Sequence, residues 1–78
     1  MIKFKLNQEK FAYTVDPISF FIKEIDGAEV KVEWEYDGEI EYIPYLKHEV
    51  VENFRDGWWL DVSDEEDMEL KKEIGLIE

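Results

Sequence analysis

An alternation of apolar and charged residues on both sides of an Asp37-Gly38 pair constrains the fold of this chain more than any other feature. The segment before the pair reads EVKVEWEY, and the alternation resumes after it in EIEYI. Side chains of a strand point to opposite faces in turn, so this pattern predicts two half-buried strands. We therefore expect residues 29–43 to form a β-hairpin with one apolar face and one acidic face.

The parity of the residues distinguishes two registers for this hairpin, because a shift by one residue moves every side chain to the other face. A two-residue loop places Trp34 opposite Glu41 and mixes the faces. A three-residue loop, with Gly38 in a left-handed bulge, places Trp34 opposite Ile40 and keeps the faces uniform. The sequence pattern favours the three-residue loop.

The preferred register places four carboxylates on one face: Glu33, Glu35, Glu39 and Glu41. Neighbouring strands lie ~4.8 Å apart and alternate residues ~6.6 Å apart, so the four groups would share one patch. Like charges opposite each other destabilise a hairpin unless cations or a partner compensate. Two interpretations are open: a solvated outer face with splayed side chains, or a surface shaped to meet positive charge.

The charge balance limits the partners that this chain can bind. It has 21 acidic and 9 basic residues and a formal net charge of −12. Such a chain should repel nucleic acid and anionic membranes and attract basic surfaces. With 78 residues, 45% of them hydrophobic, it is large enough for one small core. We expect a single domain over residues 1–78 rather than a disordered acidic tail.

The prediction of a compartment rests on targeting signals, because the lack of cysteine does not constrain it. There is no cysteine, which excludes disulfides, thiolate metal sites and a thiol nucleophile. Met1 leads directly into an alternating run without the basic-then-apolar order of a signal peptide, and no apolar run approaches the ~20 residues of a membrane span. We expect a cytoplasmic protein.

The first part of the chain predicts two more strands and a helix. Alternating runs at residues 2–6 and 11–15 predict the strands. Asp16, followed by proline, is typical of a helix start, because Asp caps free amides and Pro at the first helical position loses no hydrogen bond. Apolar residues at helical spacing then predict a helix over residues 18–25, which stops at Gly27.

The second part predicts two further helices. Pro44 prevents the continuation of an interior strand, and residues 45–55 have a helical period. Ser63 and Glu66 match a capping box, which predicts a last helix that starts there and ends at Gly75. The expected fold class is α+β, a small antiparallel sheet of about four to five strands packed against about two to three short helices.

The tryptophan pair in the next segment allows two interpretations. If this segment is extended, Trp58 shares a face with Leu60, whereas Trp59 and Asp61 lie on the other face. An exposed Trp is common at the centre of interfaces, where its ring excludes water around charged contacts. Alternatively, both rings seal a core that is otherwise too small to close.

Residues for catalysis or metal binding are few. His48 is the only histidine, and with Glu52 on the same helical face it would provide two ligands, which is an adventitious site at best. Residues 61–72 imitate a calcium loop, but Glu66 replaces the required glycine and Lys72 the bidentate glutamate. Neither a Gly-rich phosphate loop nor a Ser-His-Asp set can be assembled. We expect no enzyme activity and no cofactor or metal.

Several short stretches carry a family resemblance. They are Asp37-Gly38-Glu39, Val50-Val51-Glu52-Asn53-Phe54, Arg55-Asp56-Gly57-Trp58 and Asp64-Glu65-Glu66. Together they resemble small acidic phage anti-CRISPR proteins, which inhibit RNA-guided DNA nucleases. The resemblance implies a small antiparallel sheet packed against helices, with acidic loops that occupy the basic cleft where the nuclease reads its protospacer-adjacent motif. The contacting acids that it implies are Asp37, Glu39, Asp64, Glu65 and Glu66.

Two hypotheses for function follow. The first is an acidic DNA mimic that inhibits a basic nucleic-acid-binding protein, such as a CRISPR nuclease, because a rigid carboxylate array can meet the Lys and Arg that would meet phosphates. The second is an interaction or immunity-like module that binds a basic protein, such as a toxin, without copying DNA. In a third interpretation the acids only confer solubility. The candidate partner-binding residues are Glu33, Glu35, Asp37, Glu39, Glu41, Trp59, Asp61, Asp64, Glu65, Glu66 and Asp67.

Overall fold

A five-stranded antiparallel sheet with two helices forms the fold in the computed structural model, which describes residues 1–15 and 18–77. The elements in chain order are β1 (Ile2–Leu6), a 3-10 helix (Gln8–Lys10), β2 (Ser19–Asp26), β3 (Glu29–Tyr36), β4 (Glu39–Leu46), α1 (Lys47–Arg55), β5 (Trp59–Asp61) and α2 (Met68–Ile74). The strand order is β4-β3-β2-β1-β5. The predicted α+β class is confirmed. Neither α1 nor α2 has the length and apolar character that crossing a membrane requires.

The core lies between the two helices and one face of the sheet, which we call the helix-side face. The buried side chains are Ile2, Phe4, Ile22, Val30, Val32, Val50, Trp59, Leu70 and Ile74. The strands contribute alternate residues to this core, as the pairing of Ile2 with Ile22 and of Ile22 with Val32 shows. The opposite face, which we call the open face, carries Lys3, Lys5, Phe21, Glu33, Glu35, Ile40 and Tyr42.

The β3–β4 hairpin has the two-residue loop Asp37-Gly38, so the predicted three-residue loop is wrong. Asp37 has φ 53° and Gly38 has φ 82°. Two left-handed residues in succession are typical of a type I′ turn, whose twist matches that of the strands it joins. The mixed faces that this register creates cost little, because β4 is an edge strand and its side chains from Glu39 to Pro44 are exposed.

The predicted helix over residues 18–25 is wrong, because this segment forms strand β2. A bulge in β2 lies between Ile22 and Ile25, which pair with Val32 and Val30 of the next strand. The core residue Ile22 and the partly buried Ile25, which packs against the core, therefore stand three positions apart in a strand, and this spacing imitates a helix. Residues 11–15 are not a strand either, and the predicted helix start at residues 16 and 17 lies outside the described residues.

The helices of the second half agree with the sequence in part. The helix predicted over residues 45–55 is α1, although it begins at Lys47. The helix predicted from Ser63 begins one turn later, because Asp67 is the N-cap of α2 and accepts from the Leu70 amide at 3.1 Å. The Ser63 hydroxyl instead accepts from the Lys3 amide of β1 at 2.8 Å. The predicted end of this helix at Gly75, with φ 101°, is confirmed.

Candidate functional site

The four glutamates of the β3–β4 hairpin lie on opposite faces of the sheet. Residues directly opposite each other in antiparallel strands point to the same face. Glu33 and Glu35 lie on the open face, opposite Tyr42 and Ile40. Glu39 and Glu41 belong to the helix-side face. The predicted patch of four carboxylates is therefore wrong, because it required the three-residue loop.

Lys71 contacts two of the predicted site acids, Asp61 and Glu66. Its Nζ lies 2.9 Å from Asp61 Oδ2 and 3.7 Å from Glu66 Oε1, and Lys71 is only 9% exposed. Partial burial raises the pKa of Asp61, but hydrogen bonds from Ser63 and Lys71 outweigh it, so this pKa is lowered. The hydrogen bond to Asp61 raises the pKa of Lys71. This cluster connects β5 to α2 and has a structural role.

The substitution Asp61→Asn is expected to make the protein less sensitive to acid. A carboxyl group with a lowered pKa in the folded state contributes stability above its unfolded pKa of 3.8. That contribution is lost as the pH falls through the folded value, because the unfolded chain then binds more protons. Urea unfolding between about pH 6 and about pH 2.5 should give a shallower loss of stability for the variant than for the wild type. Equal slopes would contradict this role of Asp61.

Two other predicted site acids also contact cations of the same chain. Glu33 Oε2 lies 3.6 Å from Lys23 Nζ on the open face. Asp67 accepts from the amino group of Met1, and this hydrogen bond lowers the pKa of the Asp67 carboxyl. Neither carboxylate is therefore a free charge that a partner would meet.

The acids at the end of the hairpin differ from these. We define the hairpin tip as Glu35, Tyr36, Asp37, Gly38, Glu39, Ile40 and Glu41, all of them exposed. Within the described part of the chain, no ion pair involves any of its four carboxylates. Asp64 and Glu65 are likewise outside these ion pairs, but they follow β5, at the opposite edge of the sheet from β4. The predicted site acids that form no ion pair thus lie in two groups, one at the hairpin tip and one after β5, at opposite edges of the sheet.

Trp59 is a core residue, so the interpretation that exposed it is wrong. Its pairing with Leu6 places it on the helix-side face, where it is 7% exposed. Its ring stacks on Phe4 at 4.3 Å between centroids and meets the edges of Tyr45 and Phe54. Trp58 is the more exposed of the pair, at 39%. The face that Trp58 shares with Leu60 is the open face, because Leu60 pairs with Lys5, and the face with Trp59 is the one that packs in the core.

Sequence reasoning missed the exposed apolar side chains of β4. Ile40 is 67% exposed and Tyr42 is 56% exposed, although the alternation had predicted both to be buried. The signal that was available is Pro44, since a proline within a strand indicates a sheet edge. A shallow apolar groove of about 300 Å³ lies on the helix-side face next to β4, lined in part by Phe20, Trp34 and Ile43. The hairpin thus offers apolar surface beside its free acids.

A metal site finds no support among the residues that the structure describes. No three His, Cys, Asp or Glu side chains are grouped there so as to hold an ion. His48 and Glu52 both lie in α1. The candidate site considered below is the hairpin tip, with its exposed acids and apolar side chains.

The resemblance to anti-CRISPR proteins rests on short stretches that the structure places in different elements. Asp37 and Glu39 belong to the hairpin tip, whereas Asp64, Glu65 and Glu66 follow β5. No protein-family model matches the chain, and neither a curated protein nor a solved structure shows significant similarity to it.

Proposed function

We propose that this chain is a small acidic interaction module that binds a basic surface of another protein through the hairpin tip. The observation that carries this proposal is that the four tip carboxylates are in no ion pair of the described chain, whereas Glu33, Asp61, Glu66 and Asp67 are. Free carboxylates steer association with a basic partner and select against acidic ones. We also propose that this binding takes place in the cytoplasm.

The rigid backbone beneath the tip acids favours a binding role over the interpretation in which the acids only confer solubility. The four carboxylates are mounted on a type I′ hairpin that continues into the sheet, so less conformational entropy is lost on binding than with a flexible acidic tail. Tyr36 is exposed on the helix-side face and Ile40 on the open face, each beside acids of the tip. Aromatic and aliphatic contacts of this kind supply the desolvated centre of an interface, around which charged groups form the rim.

DNA mimicry is the second function that we propose for the same tip. It is favoured by Asp37 and Glu39, which belong both to the resemblance and to the tip acids that form no ion pair within the described residues. A mimic that also used Asp64 would need a partner surface that reaches around the sheet, because the two acidic groups lie at opposite edges. The interaction module and the DNA mimic differ in one respect: only the mimic binds the surface with which its partner binds nucleic acid.

Neutralising the tip is expected to weaken binding to a basic probe by about tenfold or more at low salt, since four favourable surface charges are lost together. The tip variant is Glu35→Gln, Asp37→Asn, Glu39→Gln and Glu41→Gln. Its control is Glu9→Gln, Glu52→Gln, Glu69→Gln and Glu73→Gln, which changes the net charge equally at exposed positions elsewhere. Binding of a fluorescent oligolysine peptide measures both.

The control removes the effect of overall charge from this measurement. Equal weakening by the two variants would mean that only net charge matters, and the hairpin tip would not be the site. Both variants should unfold within about 0.5 kcal/mol of the wild type, as is usual for surface changes.

To separate the two functions, the protein is added to an RNA-guided DNA nuclease and its duplex substrate. Displacement of the DNA by the wild type but not by the tip variant would support mimicry, and undisturbed DNA binding by a nuclease that captures the protein would contradict it.

A further inference from the structure

The outer edge of β4 carries backbone groups that are not paired with another strand of the described chain, because β4 is the first strand in the sheet order. In a two-residue hairpin the residues next to the loop, here Tyr36 and Glu39, exchange both of their hydrogen bonds, and bonded and non-bonded pairs then alternate. The odd-numbered residues of β4 therefore direct their N–H and C=O groups towards β3. The even-numbered residues direct theirs outwards.

Two independent features agree with this assignment. The Leu46 amide donates to Glu49 Oε1 at 2.9 Å and is thus directed away from β3. Pro44, which has no N–H, occupies an even-numbered position, where its missing donor costs no bond of the sheet. Ile40 and Tyr42 are then the positions of β4 that present both an N–H and a C=O group at the free edge.

Side chains on the two faces of this edge differ in chemistry. On the open face, Ile40 and Tyr42 are more than half exposed. On the helix-side face, Glu39 and Glu41 are exposed and take part in no ion pair within the described residues. A strand added at this edge would therefore meet carboxylates on one face and apolar groups on the other.

We propose that the free edge of β4 binds an extended segment of the basic partner by strand addition, in which Lys or Arg side chains lie beside Glu39 and Glu41 and apolar side chains beside Ile40 and Tyr42. This inference rests on the proposed function and names the class of partner, a strand in which basic and apolar residues alternate. Such a segment gains main-chain hydrogen bonds for affinity and alternate side-chain contacts for specificity. Pro44 accepts but does not donate, so the main-chain pairing ends there.

Charge complementarity favours this occupant over a second copy of the same chain. Pairing two copies of β4 would place Glu39 and Glu41 of both chains on adjacent strands, where like charges are destabilising. Each copy also carries a formal net charge of −12. In addition, Pro44 of each copy lacks the N–H that an added strand requires. A basic segment relieves the repulsion that a second acidic chain would increase.

Amide hydrogen exchange tests the proposal directly. The probe is a short blocked peptide in which lysine alternates with valine, and its control has the same composition with the lysines and valines in separate blocks. In the free protein the Ile40 and Tyr42 amides should exchange fast, whereas the Glu41 and Ile43 amides are protected by β3. The alternating peptide should slow exchange at Ile40 and Tyr42 at least tenfold and the block peptide much less. Peptide binding without protection at Ile40 and Tyr42 would overturn the proposal.

A proline substitution separates this inference from the proposed function. Tyr42→Pro removes the outward N–H and the side chain, whereas Tyr42→Ala removes the side chain only. Tyr42→Pro should bind the alternating peptide roughly fivefold more weakly than Tyr42→Ala, as expected for one lost hydrogen bond. Equal affinity of these two variants, together with weak binding by the tip variant, would refute strand addition and leave the proposed function standing. Full affinity of the tip variant would refute both.

Self-association is measured in the same samples. Sedimentation of the protein without peptide should give a monomer. A dimer in which the Ile40 and Tyr42 amides are already protected would identify a second copy as the occupant of the edge and would overturn the proposal.

Discussion

Replacing Trp59 with alanine is expected to leave little stability in this protein. The indole stacks on Phe4 and contacts the edges of Tyr45 and Phe54, so its removal opens a cavity where β5, β4, β1 and α1 meet. Truncation of a large buried aromatic residue costs about 3–5 kcal/mol. A domain of 78 residues has a total stability of roughly 4–12 kcal/mol. We therefore expect a variant that is close to unfolding at room temperature.

The neighbouring Trp58 provides the matched control. It is the more exposed residue of the pair, and its ring meets the edge of Phe11 at the surface. Trp58→Ala should cost only about 1 kcal/mol, as is usual outside the core. Urea unfolding followed by far-ultraviolet circular dichroism measures both variants without relying on the tryptophan signal. A folded Trp59→Ala variant with wild-type stability would contradict the stacking that the structure shows.

The second large effect is expected for Lys71→Ala. Lys71 is a buried charged residue, and its ammonium lies between Asp61 and Glu66. Removing it leaves the Asp61 carboxylate without its cation and also removes the apolar stem that packs at this position. Because Asp61 and Glu66 are partly in contact with water, we expect a loss of about 2 kcal/mol rather than the full cost of breaking a buried pair. In a domain of this size that loss lowers Tm by about 10 °C.

Lys72 and a methionine substitution distinguish the causes of this loss. Lys72 is the next residue of α2 and is exposed, so Lys72→Ala should change Tm by no more than about 2–4 °C. Lys71→Met keeps the stem and removes the charge, so its Tm should lie between those of Lys71→Ala and the wild type. Calorimetry of these three variants and the wild type measures the four Tm values. Equal Tm values for Lys71→Ala and Lys72→Ala would exclude a structural role of the Lys71 cluster.

Local patterns in the sequence were sufficient to predict several elements. The alternation around Asp37-Gly38 predicted a hairpin, the helical period after Pro44 predicted α1, and Gly75 marked the end of α2. Each of these signals depends on neighbouring residues, and a fold of this class follows from their sum. The α+β class is therefore the part of the structure that the sequence determines most directly.

Features that depend on distant contacts were not predictable in this way. Ser63 has the residue pattern of a helix cap, yet its hydroxyl bonds to Lys3 of β1. Trp59 is buried because β5 pairs with β1, a pairing that no local pattern reports. The faces of the hairpin carboxylates also differ from the prediction. The mixed faces that the observed register creates are tolerated because β4 lies at the edge of the sheet, and its position there depends on the order of the strands.

The loop between β3 and β4 has a consequence for how this protein tolerates change. If one residue were inserted beside Gly38 and the turn kept two residues, β4 would turn over and the acids now divided between the two faces would gather on one face. The same insertion would turn Pro44 towards β3, where the missing donor breaks the ladder. Pro44 therefore fixes the register of the hairpin from the far end of the strand, and with it the face on which each acid lies.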